Sequence, residues 1–514
     1  MPPDEVDVGS LSAWADRPMQ NVEVAGEPVL LVRDGDAIRA VGGRCPHAGA
    51  PLSEGVLHHG RIVCPWHKAA FCIRTGAVLE PPAVDPLPKY DVRLDDGRVF
   101  LRSTTAPPEA RSDLIDERTF VVVGGGAAGA VAAQTLREVG YAGRLVLLDR
   151  ENRVPYDRTV LSKYLLSGEK GGEKSPLQPQ SYYRRHRIER RTAEATGIDP
   201  VAHRITCADG SVLHYDQALL ATGSVPTAPD VAGSRLKNVF LLRSRADADA
   251  ILAQAERSER AVVLGASFIG MEVAASLRER GLEVTVAGKE EVAFAKLVGP
   301  RIGTALMDLH RKRGVTFRLG AGLTQLDGDE AVRAVVLDSG ERLPADLVIV
   351  GFGVRPASIP VQGLAADADG GIEVDAMLRA AEGLYVAGDL ARFPVYGSGK
   401  PIRVEHWRVA QQQGRVAALN MAGVPTRHEA PPVFWTIQYR KRLDYIGHAD
   451  AWDDIVIHGD LSKPEFLAYM LKDGIVAAAV GMDRDRDTAA LIELFRQRQD
   501  WSADELGPMP VDRL

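Results

Sequence analysis

The stretch Thr119 to Gly129 restricts the fold more than any other. A short apolar run, Phe120 to Val123, leads into Gly124-Gly125-Gly126-Ala127-Ala128-Gly129 and then an Ala-rich segment, Ala130 to Val139. This order predicts a buried parallel strand, a glycine turn and a helix, the context in which G-x-G-x-x-G cradles a dinucleotide. Gly124 permits the tight turn, and Gly126 lets the backbone approach a pyrophosphate. Ala128 lies inside the motif, and Gly129 lets helix and strand pack closely. The helix N-terminus then faces the negative charge. A second strand, Arg144 to Leu148, ends near Asp149 and Glu151, about twenty residues on, where a ribose-binding acid is expected.

A chain of 514 residues is too long for one hydrophobic core, so about three or four domains are expected. The net charge of -7 argues against nucleic-acid binding but leaves room for local basic patches. No apolar run reaches the ~18 residues of a membrane span. The acidic start, Met1-Pro-Pro-Asp-Glu, lacks the basic and apolar regions of a signal peptide, which points to the cytoplasm. Four cysteines, Cys45, Cys64, Cys72 and Cys207, are too few for a disulfide scaffold, and no C-x-x-C occurs for a dithiol relay.

Residues 1–104 alternate in short strands, among them Val22–Val24, Val29–Val32, Ala37–Val41, Arg61–Val63, Asp91–Leu94 and Arg98–Leu101. Turns such as Asp34-Gly35 and Asp96-Gly97 separate them, predicting a small antiparallel β domain. Within it, Cys45-Pro46-His47 is followed, after sixteen intervening residues, by Cys64-Pro65-Trp66-His67. Two loops each giving one Cys and one His could hold one metal centre. Tetrahedral zinc accepts Cys2His2. A Rieske [2Fe–2S] cluster takes two Cys on one iron and two His on the other. Zinc fingers place both cysteines before both histidines, which is not the order here. His58 and His59 read as exposed loop residues.

The segment from about residue 5 to 102 resembles a Rieske domain, including Thr75-Gly76, the Pro81-Pro82-Ala83 loop and the closing Tyr90 and Gly97 strands. The resemblance implies Cys45, His47, Cys64 and His67 as the cluster ligands. High-potential members carry a further Cys in each box. Ala50 and Trp66 stand there, so the resemblance is to the ferredoxin type, near the low end of a span of roughly −150 to +300 mV. Beyond it, Ser103 to Asp113 has the polar, Pro-containing composition of a linker, set at residues 105–116.

Val154-Pro155-Tyr156-Asp157-Arg158 through Lys163 adds a second resemblance, to FAD-dependent NAD(P)H reductases that include oxygenase-coupled ferredoxin reductases and apoptosis-inducing factor. It implies that Arg158 contacts the flavin and that Lys163 approaches its N5 edge, where a cation stabilises the charge of the reduced ring. Ala221-Thr222-Gly223 and Gly388-Asp389 each end an apolar strand, and the family uses such turns at the flavin's diphosphate and ribityl. A second fingerprint, Gly265-x-Ser267-x-x-Gly270, replaces the middle glycine with serine. The same resemblance places Glu272 near the nicotinamide, able to pair with Lys163. It also implies a nicotinamide loop at Gly351-Phe352-Gly353. At the end of the next strand Gly288 stands where an acid is expected. Glu290 could reach a ribose 2′-OH and Lys289 a 2′-phosphate, so NADH and NADPH both remain, with NADH favoured by the family tendency.

Glu405-His406-Trp407 opens a helix that continues through Asn420, and the family sets an aromatic or His of this motif beside the flavin, with Trp407 the best match. Strands return from Thr426, followed by a helix predicted over Asp487 to Gln499. There the resemblance puts Trp435 near the flavin. Tyr439-Arg440-Lys441-Arg442 is a basic cluster that could sit on a docking face, with a solvated hairpin turn the favoured reading.

The expected organisation is multidomain. An N-terminal all-β Rieske domain (1–104) precedes two Rossmann-like α/β domains, for FAD (117–245 and 369–425) and NAD(P) (246–368), and a C-terminal α+β domain (426–514). The implied function is an NAD(P)H-dependent flavoprotein reductase. It would pass electrons through FAD and a [2Fe–2S] cluster to a protein or small-molecule acceptor such as an oxygenase, cytochrome or ferredoxin. The expected partners include no nucleic acid, and a homodimer is compatible. The catalytic candidates are Lys163, Glu272 and Trp407. The alternatives are a nicotinamide-sensing signalling or assembly protein, and a flavin reductase with a zinc-stabilised β module.

Overall fold

The computed structural model describes residues 5–14, 17–103, 116–169, 175–497 and 500–514. The expected linker therefore lies outside the described residues except for Asp116, as do the last two residues of the predicted helix ending at Gln499.

The N-terminal region forms two antiparallel sheets, one of six strands and one of four. The smaller one contains Val56–His58, Arg61–Val63, Ala70–Cys72 and Val78–Glu80, and the two Cys-His loops flank its strands. Leu30, Leu52, Ile62 and Phe71, all fully buried, join the two sheets into a core that includes Cys45 and Cys64.

Two mainly parallel sheets follow, the first with an antiparallel edge strand, Arg379–Ala381. In the first, Thr119–Val123 lies between Arg144–Asp149 and Gln217–Leu220, and Leu384–Val386 continues the order beyond Gln217–Leu220. In the second, Arg260–Leu264 lies between Glu283–Gly288 and Leu347–Val350. Both glycine turns thus leave the carboxyl end of a central strand, where open α/β sheets bind their ligands. The strands are apolar on both faces because both sides are covered. In the second sheet, helices pack on one face and the three-stranded sheet of Leu323–Gly328, Val332–Leu337 and Arg342–Pro344 on the other. The helix Ala127–Glu138 packs on Trp407–Met421, where Gly414 approaches so closely that a Cβ would lie 2.1 Å from the Ala128 carbonyl oxygen.

The C-terminal region is a five-stranded antiparallel sheet carrying the helix Asp485–Gln497. Its strands Val433–Gln438 and Lys441–Gly447 face the α/β body. Among the described residues no helix is long and apolar enough to cross a membrane. Two expectations change. His58 ends a strand and hydrogen-bonds Gln497 of the C-terminal helix, rather than lying in an exposed loop. Arg442 is held in an interface rather than in a solvated turn, as the docking-face alternative has it, although Arg440 is solvated.

Candidate redox site

The first turn has the shape that a pyrophosphate cradle requires. Gly124 adopts φ 110°, and a Cβ there would lie 2.2 Å from the Ala221 carbonyl oxygen. A Cβ on Gly129 would sit 1.8 Å from the Gly124 carbonyl, so these two glycines serve chain packing. A Cβ on Gly126 would meet nothing within 4 Å, so that position faces open space. Gly126 caps the helix Ala127–Glu138 without a side-chain hydrogen bond, leaving the first N–H groups available to an anion.

Further groups converge there. A Cβ on Gly125 would lie 2.2 Å from Asp149 Oδ2, so the strand-end acid lies over the turn. Burial raises the Asp149 carboxyl above its usual range. Glu151 instead accepts from Arg158 at 2.5 Å and from the Tyr156 hydroxyl at 2.8 Å. Asp389, next to Gly388, accepts from Ser224 at 2.6 Å and pairs with Arg243 at 3.1 Å. Thr222 donates to the Ala357 carbonyl at 2.7 Å and Gly223 lies beside Arg243, so the 221–223 and 388–389 turns meet.

Lys163 and Glu272 come together from different parts of the chain. Lys163 lies in the short helical segment Leu161–Leu165, and its ammonium is 2.9 Å from Glu272 Oε2. Lys163 also donates to the Thr159 carbonyl at 3.0 Å. Glu272 accepts from Ser162 at 2.5 Å and from Thr436 at 2.7 Å. Ser276, one turn further along the same helix, donates to the Ser162 carbonyl at 2.7 Å and fixes the segment. Both charged groups are almost fully buried, so the pair is stiff and little screened. Ser162 and Thr436 lie in segments that the resemblance covers but have no role assigned there, and the fold brings them to Glu272.

Three aromatic positions separate in space. His406 stacks on Phe434 with ring centroids 4.0 Å apart, and burial lowers its pKa to about 4, which keeps it neutral. Trp407 is half-buried and packs against the core of the first α/β sheet. Glu405 pairs with Arg403. Trp435 turns to the N-terminal domain, with its ring 4.9 Å from His67.

The second turn repeats the first with one substitution. Gly265 adopts φ 101°, and a Cβ on Gly270 would lie 2.1 Å from the Gly265 carbonyl. Ser267 caps the helix Phe268–Glu279 and donates to the Gly351 carbonyl at 3.2 Å. Gly353 adopts φ 88° in the same loop. A cavity of about 310 Å³ opens beside Gly288, Lys289, Glu290 and Phe352. Glu290 folds back until Oε2 lies 2.6 Å from where a Gly288 Cβ would be, whereas the Lys289 stem runs toward Gly322.

The cluster candidates form two pairs. The buried Cys45 and Cys64 thiols act on each other, which holds Cys45 up and draws Cys64 down, with the Lys68 charge assisting. His47 Nδ1 lies 3.1 Å from His67 Nδ1. Burial lowers both imidazole pKa values, favouring the neutral form a metal needs. Among the described residues no three His, Cys, Asp or Glu side chains gather as a single ion would require. Two thiols on one side and two imidazole Nδ1 atoms on the other fit the two irons of a Rieske cluster better than one zinc.

Comparison with known proteins agrees with this organisation. Residues 118–414 match the pyridine nucleotide-disulphide oxidoreductase family, residues 4–91 the Rieske [2Fe-2S] domain and residues 433–512 the reductase C-terminal domain. The chain is 35% identical to human apoptosis-inducing factor 3 over 93% of its length and 81% of that protein's. It is 34% identical to the 5,5'-dehydrodivanillate O-demethylase ferredoxin reductase subunit of Sphingobium sp. (strain NBRC 103272 / SYK-6), over 76% of this chain and 97% of that one. The reductase in the covalent putidaredoxin reductase–putidaredoxin complex superposes with a TM-score of 0.73 at 29% identity, over 78% and 98% of the two chains. The chain belongs to the pyridine nucleotide-disulphide oxidoreductase family, as an FAD-dependent member that carries an N-terminal Rieske [2Fe–2S] domain and a reductase C-terminal domain.

Proposed function

We propose that the chain is an NAD(P)H-dependent reductase whose first glycine turn holds FAD, whose second takes the nicotinamide dinucleotide, and whose Cys45, His47, Cys64 and His67 hold the cluster. The flavin and cluster held by these residues would supply the conversion of two-electron transfer from NAD(P)H into one-electron transfer to a protein acceptor. The observation that carries this reading is the contiguity of Glu272 and Lys163 with Thr436, its neighbour Trp435 and the Rieske ligand His67.

The residues have separable tasks. Lys163 supplies a fixed cation toward the negative charge that the flavin gains, and its buried setting makes that charge effective. Glu272 positions the ammonium, while Ser162 and Thr436 hold the carboxylate. Neutral His406 and Phe434 form an apolar wall that excludes water. Asp389, Arg243 and Ser224 offer a polar rail to a ribityl and diphosphate chain. Glu290, folded over the strand end, offers a carboxylate to a ribose hydroxyl and repels a 2′-phosphate, which favours NADH. The signalling alternative is the less supported, because the ligand set and the reductase relatives both describe a relay.

The test is an EPR spectrum of the purified chain reduced with NADH, with iron, zinc and flavin analysis. A Rieske-type signal, two irons and one FAD per chain are expected, with the signal lost in His67→Ala. Zinc in place of iron, or a cluster that NADH leaves oxidised, would refute the relay.

A further inference from the structure

The Rieske domain meets the rest of the chain through charges removed from water. Glu80, at the end of Val78–Glu80, is 7% exposed. Its Oε1 accepts from Arg61 of its own domain at 2.6 Å and from Arg496 of the C-terminal helix. Its Oε2 accepts from Arg408 at 2.7 Å and Gln412 at 2.9 Å, both on the helix Trp407–Met421. Arg408, 1% exposed, also donates to the carbonyls of Lys68 at 3.0 Å and Pro81 at 3.2 Å. Arg61 lies 3.4 Å from Glu493, closing the ring of charges.

A second set grips the loop that carries Cys64 and His67. Lys68, wholly buried at φ 64°, reaches Asp444 at 2.8 Å. Arg442 pairs with Asp485 and donates to the Pro65 carbonyl at 3.2 Å. Nearby, Val56, Val63 and Ala70 pack against Ala489 and Ala490. Transient redox encounters are small and wet, whereas this contact is apolar in part and buries Glu80, Arg408, Lys68 and Asp444 at its centre. The tether adds to it. A short linker gives an effective concentration of order millimolar, so even a micromolar affinity would keep the domain docked roughly a thousandfold over free.

We propose that the Rieske domain is permanently seated on its own reductase body, covering the face around Trp435, so that a separate iron–sulfur protein is excluded from that face and electrons leave through the docked domain. This rests on the electron route proposed above. Each NADH, oxidised to NAD⁺ with release of one proton and two electrons, then reduces a one-electron acceptor twice.

Two measurements test the dock. A protease site inserted between Ser103 and Asp116 is cut in the folded full chain, which is then run on size exclusion at low micromolar concentration. The cut domain should co-elute with the body, and separate elution would overturn the proposal. In the same cut chain, Glu80→Gln with Arg408→Met should release the domain, and continued co-elution would remove these charges from the account. Second, His58→Cys with Gln497→Cys, in a Cys72→Ser background, is bridged by a short bis-maleimide. NADH-driven cytochrome c reduction should stay within about twofold of the unbridged protein, because no gating motion is needed. A loss beyond about tenfold would mean that the domain must leave its seat. Failure of the electron route itself looks different: the cluster stays oxidised under NADH, bridged or unbridged, while the cut domain still co-elutes.

Discussion

The two glycine turns are built alike and surrounded differently. In both, the first and last glycines serve the chain, because a Cβ on Gly129 or Gly270 would strike the carbonyl of Gly124 or Gly265. They diverge in the middle. Gly126 faces open space, and Ser267 carries a hydroxyl bonded to the Gly351 carbonyl. They diverge again at the next strand end, where Asp149 lies on the first turn and Gly288 leaves the second to Glu290. The first turn is enclosed by Asp149, the 221–223 turn and Asp389, as a retained cofactor requires. The second opens on a cleft of about 310 Å³, as an exchanging substrate requires.

The largest effect should come from the shared feature. Gly129→Ala places a methyl 1.8 Å from a carbonyl oxygen, so strand and helix must separate. Overpacking of this kind costs on the order of 1–3 kcal/mol and moves the helix N-terminus away from its anion. The variant should purify colourless with a lowered Tm. Full flavin absorbance would mean that the two turns do not share a packing role. Next comes the pair joining the two halves. Lys163→Met should retain FAD but slow flavin reduction by NADH roughly a hundredfold in stopped flow, the scale of losing one preorganised charge. An unchanged rate would leave Lys163 a merely structural partner of Glu272.

Legibility in the sequence followed locality. Both turns, the strands beside them and the two Cys-His loops were readable because each function needs neighbouring residues at fixed spacing. Lys163 and Glu272 were readable through resemblance. The docking charges were not. Glu80 and Arg408 are 328 positions apart, and each alone reads as an ordinary surface charge. Arg442 sits in a basic run that could be a docking face but whose favoured reading is a solvated turn, and only the fold sets Asp485 and the Pro65 carbonyl against it. The Ser162 and Thr436 hydroxyls lay in segments that the resemblance marks, but their bonds to Glu272 appear only in the fold.

Smaller effects probe the differences between the turns. Gly126→Ser gives the first turn the second's middle residue, and the free space means the fold should survive. FAD affinity should fall by roughly tenfold or more, since a side chain stands where the pyrophosphate needs the backbone. The loss should show as apoprotein that refills only at high FAD. Glu290→Ala should reduce the preference for NADH over NADPH about tenfold in kcat/KM, the scale of one charged hydrogen bond. If the preference holds, Lys289 and the cleft walls set it instead.

The reverse exchange, Ser267→Gly, should do least. Ser267 caps the helix Phe268–Glu279 without a side-chain capping bond, and its one hydroxyl contact is with the Gly351 carbonyl. Replacing such a cap by glycine costs a few tenths of a kcal/mol, so KM for NADH should move by no more than roughly threefold. The asymmetry with Gly126→Ser is the informative result. If removing the hydroxyl weakens NADH binding as strongly as adding one weakens FAD binding, Ser267 is a ligand to the dinucleotide rather than a tolerated substitution. The two turns would then differ in how they hold a phosphate, one by bare backbone and the other by a hydroxyl.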